Sequence, residues 1–233
     1  MKNTFYKTAL LIILFPLCFS SCEKDNLKGP DAKIFGQIRD LETGEPIQQD
    51  IIDGSLIYYI ENGFDVPQLQ TAVFKNDGSY RNNLMFSGNY KFVLTRGNYV
   101  SLDTLHIQIK KGNNEINFEA IPYLRLKNTT IDLIGERIHA KFTLEDPEVN
   151  GVNKIGLFVH SDVTVGNGIK IAWVEIVLDR DITDGGEEFE IIYNLSSFAD
   201  KITQGRDYYF RVGALSSASE ARYNYAAPVK ITL

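Results

Sequence analysis

The chain has 233 residues, of which 24 are basic and 30 acidic, giving a formal net charge of −6. No basic block interrupts that balance, so a phosphate backbone would gain little from this surface, and nucleic acid is excluded as a partner. Hydrophobic residues make up 44%, and the two cysteines, Cys18 and Cys22, are too few for a disulfide framework, so folded domains here must be held by their cores.

The chain opens with Lys2 and Lys7, followed by an almost wholly apolar run from Ala9 to Phe19. That run is shorter than the roughly 20 residues a hydrocarbon core requires. It suits the apolar region of a secretory signal, about 7–15 residues. Ser20, Ser21 and Cys22 come next. The order resembles a bacterial lipoprotein signal, which implies that residues 1–21 are removed, that Cys22 carries the lipid and that Cys18 leaves with the signal. Glu23-Lys24-Asp25-Asn26 resembles the export signal that sends Bacteroides-type lipoproteins to the outer face of the outer membrane. Residues 22–31 are polar and contain Gly29-Pro30, the composition of a wet, flexible tether.

From Ile34 the pattern turns to short strands. Ile34, Gly36 and Ile38 alternate with Phe35, Gln37 and Arg39. Leu56 to Ile60, Thr71 to Phe74, Tyr90 to Leu94, Leu105 to Ile109 and Ile116 to Phe118 are rich in β-branched and aromatic residues. Between them stand the turn signals Glu42-Thr43-Gly44, Asn76-Asp77-Gly78, Ser87-Gly88-Asn89 and Lys111-Gly112-Asn113-Asn114. The segment Gly36-x-Ile38-x-Asp40-x-x-Thr43-Gly44-x-Pro46-Ile47, with Asp77-Gly78-x-Tyr80 and Gly88-x-Tyr90-x-Phe92 further on, resembles the carboxypeptidase-regulatory-like (prealbumin-like) β-sandwich. That resemblance implies a scaffold domain over residues 32–122.

Ile121-Pro122-Tyr123-Leu124 reads as a junction, because a proline restricts the residue before it and ends a strand. A second set of strands follows. Ile138, Ala140, Phe142 and Leu144 share a face, as do Ile155, Leu157 and Val159, and Ala172, Val174, Ile176 and Leu178. Glu190 to Tyr193 and Ala227 to Ile231 complete the set. Ile202-x-x-Gly205-x-x-Tyr208-x-Phe210-x-Val212-x-Ala214 resembles the corner and following strand of a fibronectin type III-like sandwich, which gives Tyr208 a buried hydroxyl bonded to upstream backbone. The expected fold class is therefore all-β: two tandem sandwiches, prealbumin-like and then immunoglobulin- or fibronectin III-like, the second over residues 123–233.

The lipoprotein start, the Gly36 to Ile47 motif, the Pro122 junction and the Tyr208 to Ala214 strand together resemble a family of two-domain outer-membrane lipoproteins. Members occur beside the starch-utilisation-type glycan uptake systems of gut Bacteroides-like bacteria. The resemblance implies a setting at the cell surface, with a transporter and its surface lipoproteins as partners.

Nothing in the sequence carries catalysis. There is no Gly-x-Ser-x-Gly, phosphate-binding loop or His-Glu-x-x-His, and no cofactor motif. His106, His139 and His160 fall on solvated strand faces or a strand end. The acidic loops Glu145 to Glu148 and Asp179 to Glu188 lack calcium-loop spacing and read as solvated turns, so no metal is expected. Binding remains. Sugar rings stack on flat aromatic faces rimmed by polar groups. Trp173 lies opposite the apolar face of its strand, Tyr223 and Tyr225 precede the last strand, and Tyr58 and Tyr59 point to opposite faces so that one looks outward. Trp173, Tyr223, Tyr225 and Tyr58 are the candidate glycan-binding residues. The expected function is an accessory glycan-binding surface lipoprotein; the alternative is a docking lipoprotein that binds protein partners and no glycan.

Overall fold

A computed structural model describes residues 28–233 apart from 95 and 184. The signal, Cys22 and the export motif lie outside the described residues. The first domain comprises β1 (Ala32–Asp40), β2 (Leu56–Glu61), β3 (Leu69–Val73), β4 (Ser79–Met85), β5 (Gly88–Val93), β6 (Leu105–Ile109), β7 (Gly112–Glu115) and β8 (Phe118–Ala120). Two sheets face each other. In one, β1 is flanked by β4 on one side and by β7 and then β8 on the other; the second runs β3-β2-β5-β6. Inward residues of both sheets fill the core, where Phe74, Tyr80, Phe92 and Phe118 pack with centroids 5.4–6.4 Å apart.

The motif residues have local reasons. Asp40 accepts from the Glu42 amide (3.0 Å) and its carbonyl accepts from the Gly44 amide, with Gly44 at φ 74° closing the turn. Gly36 answers a close approach: a Cβ there would lie 1.8 Å from the Ile116 carbonyl oxygen, where the chain passes from β7 to β8. Lys111 to Asn114, expected as a turn, instead feeds β7, which runs parallel to β1 from Ala32↔Gly112 to Phe35↔Glu115. The strand is polar because it lies exposed at the sheet edge, so no apolar alternation announces it.

The second domain comprises β9 (Arg125–Ile134), β10 (Arg137–Glu145), β11 (Val152–His160), β12 (Ala172–Arg180), β13 (Glu187–Asn194), β14 (Asp207–Ser216), β15 (Asn224–Tyr225) and β16 (Val229–Thr232). One sheet is β13-β10-β9; the other is β12-β11-β14, with β15 and β16 both paired to the far side of β14. Tyr208 is buried and its hydroxyl accepts from the Thr203 amide at 2.9 Å, the corner bond its motif implied. The protein is thus two tandem β-sandwiches. Residues 31–233 nevertheless make one compact unit.

The junction explains that unity. Tyr99 pairs with Pro122, the Val100 amide bonds the Ile121 carbonyl, and the Tyr123 amide bonds the Asn98 carbonyl, so the connecting segment is held like a strand along the first domain.

Candidate ligand-binding face at the domain junction

The outer face of the β12-β11-β14 sheet organises the candidate site. Cross-strand register places Trp173 beside Phe158 and Phe158 beside Arg211, while Glu175, Gly156, Gly213 and Tyr225 form the next row. Gly156 and Gly213 make room for rings: a Cβ on Gly213 would stand 2.8 Å from the Tyr225 ring, and one on Gly156 would stand 3.1 Å from Phe158. Phe158, Tyr223 and Tyr225 therefore pack as a cluster with centroids 5.3–6.0 Å apart.

Loops of the first domain cover the inner end of this face. Arg211 is 0% exposed. Its guanidinium lies 4.3 Å from the Tyr225 centroid and donates to the carbonyls of Gln49 (2.9 Å) and Asn76 (3.2 Å) in the first domain, and of Val165 (3.0 Å) and Ala226 (2.9 Å) in the second. Burial lowers its pKa to about 10, which still leaves it charged at neutral pH. Asp50 lies beside it. Burial raises that carboxyl, but the amides of Gly168, Asp53 and Ile52 and the Tyr225 hydroxyl outweigh the desolvation and hold it below the ordinary range. Gly166 and Gly168 let their loop close on this carboxylate; a Cβ at Gly166 would lie 2.4 Å from Asp50 Oδ2.

Two further residues tie the domains. Asn98, buried, donates to the carbonyls of Gln48 (2.8 Å) and Tyr223 (3.1 Å), accepts from Gln49 Nε2 (2.8 Å), and its carbonyl accepts from Asn224 Nδ2 (2.8 Å). Arg125 forks onto Asp40 (2.5 and 2.9 Å) and also reaches Glu42 (2.7 Å). The cavity between these elements, lined by Ile47, Pro122, Leu124, Arg125 and Tyr225 among others, holds about 150 Å³. Ligand pockets typically span about 300–1,000 Å³, so this one is a packing gap rather than a sugar site.

The structure corrects two of the expected platform residues. Tyr223 is 7% and Tyr225 5% exposed. Tyr223 is capped by Glu175 through a short hydroxyl–carboxylate bond and has the Lys154 ammonium 5.8 Å from its centroid. Tyr225 donates to Asp50 and accepts from the Asn167 amide. Their segment contains β15, and the first domain closes over it, so neither ring face is free to stack on a sugar.

Trp173 is different. It is 41% exposed on edge strand β12, with its indole at the outer end of the aromatic row. Lys170 Nζ lies 5.0 Å from the ring centroid and Lys201 Nζ 5.7 Å. Lys170 is set there by bonds to the Asn167 carbonyl (2.6 Å) and side-chain oxygen (2.7 Å), and it also lies 5.7 Å from Phe158. Glu175, on the same strand face, is engaged by Lys154 (2.9 Å) and Tyr223. Tyr58 is half-buried on β2 of the other domain, in register with Thr71 and Val93, and does not join this group.

The remaining polar candidates are structural. His139 pairs with Glu190 (2.8 Å), His160 accepts from the Asp162 amide, and His106 is exposed. Asp146 accepts from the Asn150 and Gly151 amides, and Arg180 pairs with Glu187. Among the described residues no group of three or more His, Cys, Asp or Glu is placed to hold a metal ion. Sequence reasoning missed Arg211, Asp50, Asn98, Lys170 and Lys201. Only Gly166-Asn167-Gly168 hinted at them, as a loop of small residues next to an apolar strand.

Family comparison covers both halves of the chain. Residues 32–121 match "Protein of unknown function (DUF3823) N-terminal domain" and residues 124–230 match "Domain of unknown function (DUF3823_C)". A crystal structure from Bacteroides uniformis, described as a candidate carbohydrate-binding protein, is 33% identical with TM-score 0.82, covering 88% of this chain and 100% of that one. DUF3823 proteins from Bacteroides uniformis and Parabacteroides merdae, 18% and 16% identical, share the fold at TM-score 0.73, again over 88% of this chain and 100% of theirs. No curated protein matches the chain.

Proposed function

The chain belongs to the DUF3823 family of two-domain β proteins, and on that premise we propose that it is a non-catalytic, lipid-anchored surface protein that binds glycan as an accessory to a polysaccharide uptake system. One observation carries the reading: the indole of Trp173, exposed at the sheet edge with the Lys170 and Lys201 ammoniums over its ring, sits on a strand backed by an aromatic row. Sugar C–H faces stack on such rings, and ring rigidity keeps the ordering cost of binding low. The 33% identical Bacteroides uniformis protein described as a candidate carbohydrate-binding protein supports it.

Affinity electrophoresis of the full chain against a panel of soluble polysaccharides tests this. At least one polysaccharide should retard the wild type, and Trp173→Ala should abolish the retardation. Lipid anchoring through Cys22 rests on the signal-like start; labelling with radioactive palmitate should mark the wild type and leave Cys22→Ser unmarked. Surface location follows from the Glu23 to Asn26 motif and is tested by protease treatment of intact cells.

A second reading is favoured by edge strand β3, where Leu69 and Val73 are exposed on the face that carries Tyr58. An unpaired edge with apolar side chains can add a partner's strand. In that reading the protein docks onto a transporter or a neighbouring lipoprotein and touches no sugar. Crosslinking in native membranes, with Leu69→Lys as the control, separates the two.

A further inference from the structure

We infer that the Trp173 site takes an acidic sugar chain, with one sugar ring stacked on the indole and its carboxylate or sulfate held by Lys170 and Lys201. The inference rests on the glycan-binding reading and names its substrate class. Two cations lie within 5.7 Å of one exposed indole centroid, on a chain whose net charge is −6. By contrast Lys154, over Tyr223, makes a direct ion pair with Glu175 at 2.9 Å. Among the described residues neither Lys170 nor Lys201 makes an ion pair.

Lys170 is also not a freely waving side chain. Its ammonium is fixed by two oxygens of Asn167, whose amide in turn bonds the Tyr225 hydroxyl, so its position is tied to the buried junction. An ammonium has three donors, and these bonds leave one for a ligand. Lys201 approaches from a different segment and lies 5.8 Å from Phe198 as well. The carboxylates nearby make their direct bonds elsewhere. Glu175 feels the Lys170 charge but bonds Lys154 and Tyr223, and Asp50 and Asp53 bond amides and Asn167 beneath the loop. At physiological ionic strength charges further than about 8 Å are screened, so the local pair outweighs the chain's overall negative charge. Two cations flanking a stacking surface fit a uronate or sulfated sugar, which presents an apolar ring face and an anion at its rim. A neutral sugar would bring the two ammoniums no counter-charge.

The test is affinity electrophoresis of the full chain at low salt with matched probes. Polygalacturonate and its fully methyl-esterified form share a backbone and differ in charge; chondroitin sulfate and its desulfated form separate sulfate from carboxylate recognition. At least one acidic probe should retard the protein about tenfold more strongly than its neutralised or desulfated partner, the equivalent of roughly 1.4 kcal/mol. Lys170→Gln with Lys201→Gln should remove that preference, and Lys170→Arg with Lys201→Arg should keep it. Lys201 is exposed and Lys170 half-buried, and thermal melting checks that both double variants fold. Retardation by neutral chains alone would overturn the inference and leave the glycan-binding reading standing. Retardation by no chain would overturn both. Equal binding to phosphatidylglycerol vesicles, lost in the same Gln variant while the acidic glycans fail, would assign the cations to a membrane surface and also overturn it.

Discussion

Arg211 brings a full positive charge into the interior and satisfies it with carbonyls from both domains. Removing one partner from a buried charged network leaves the others desolvated and unpaired, at a typical cost of about 3–5 kcal/mol. Arg211→Met, which keeps the bulk, is expected to lose that much in urea unfolding. Arg211→Lys should recover little of it, because a point cation cannot span four carbonyls as a planar fork does. The residues with depressed acidities set the acid limit. Asp50 and Asp40 both have folded-state pKa values below their unfolded ones, Asp40 because Arg125 and the Glu42 amide outweigh its burial. Their stabilisation is full above the unfolded value near 3.9 and is lost as pH falls through the folded values. Unfolding midpoints should therefore hold from neutrality to about pH 5 and drop below about pH 4. In Asp50→Asn that drop should shrink, on a lower plateau. At this scale the sequence was readable where a motif names a bond, as at Tyr208. It was silent at Arg211 and took the buried Tyr223 and Tyr225 for an open platform, because position along the chain does not tell what lies over a side chain.

Strands with apolar alternation, such as β10, β11 and β14, could be read directly, while β7 and β9 could not. β7 is polar and finds its place by parallel pairing with β1, and β9, Arg125–Ile134, shows mostly exposed residues between the Pro122 junction and β10. An edge strand, whether paired non-locally like β7 or in a hairpin like β9 with β10, leaves little trace of apolar alternation. The crossing from β7 to β8 has a sharp test. Gly36→Ala would force a Cβ into the Ile116 carbonyl, and overpacking of this kind costs about 1–3 kcal/mol or more. Circular dichroism melts should show the loss, and Gly44→Ala, whose added methyl meets nothing but whose φ is 74°, should cost less. On β12 the expectation is opposite: Trp173→Ala removes an exposed ring from an edge, so its unfolding midpoint should change by under about 1 kcal/mol while glycan retardation disappears.

At the level of the whole molecule, the boundary near Pro122 was visible in the sequence, but the coupling across it was not. Two sandwiches with separate cores are joined by Arg211, Asp50, Asn98 and Arg125, all of them polar and drawn from strands and loops far apart in the chain. Calorimetry should accordingly give one transition with matching calorimetric and van't Hoff enthalpies. Asn98→Ala, which strips three side-chain bonds, one of them the direct link across the joint to the Tyr223 carbonyl, and leaves both cores intact, should pull the van't Hoff enthalpy below the calorimetric one. The fork of Arg125 on Asp40 and the carbonyl cage around Arg211 also differ from an oily contact in one respect. Greasy surfaces slide past each other, whereas hydrogen bonds tolerate only a few tenths of an ångström and a narrow angle. The joint therefore resists torque. A drag force on a chain caught at Trp173 would pass into the first domain with no hinge between them to absorb it, and single-molecule pulling should record one rupture where a slack linker would give two.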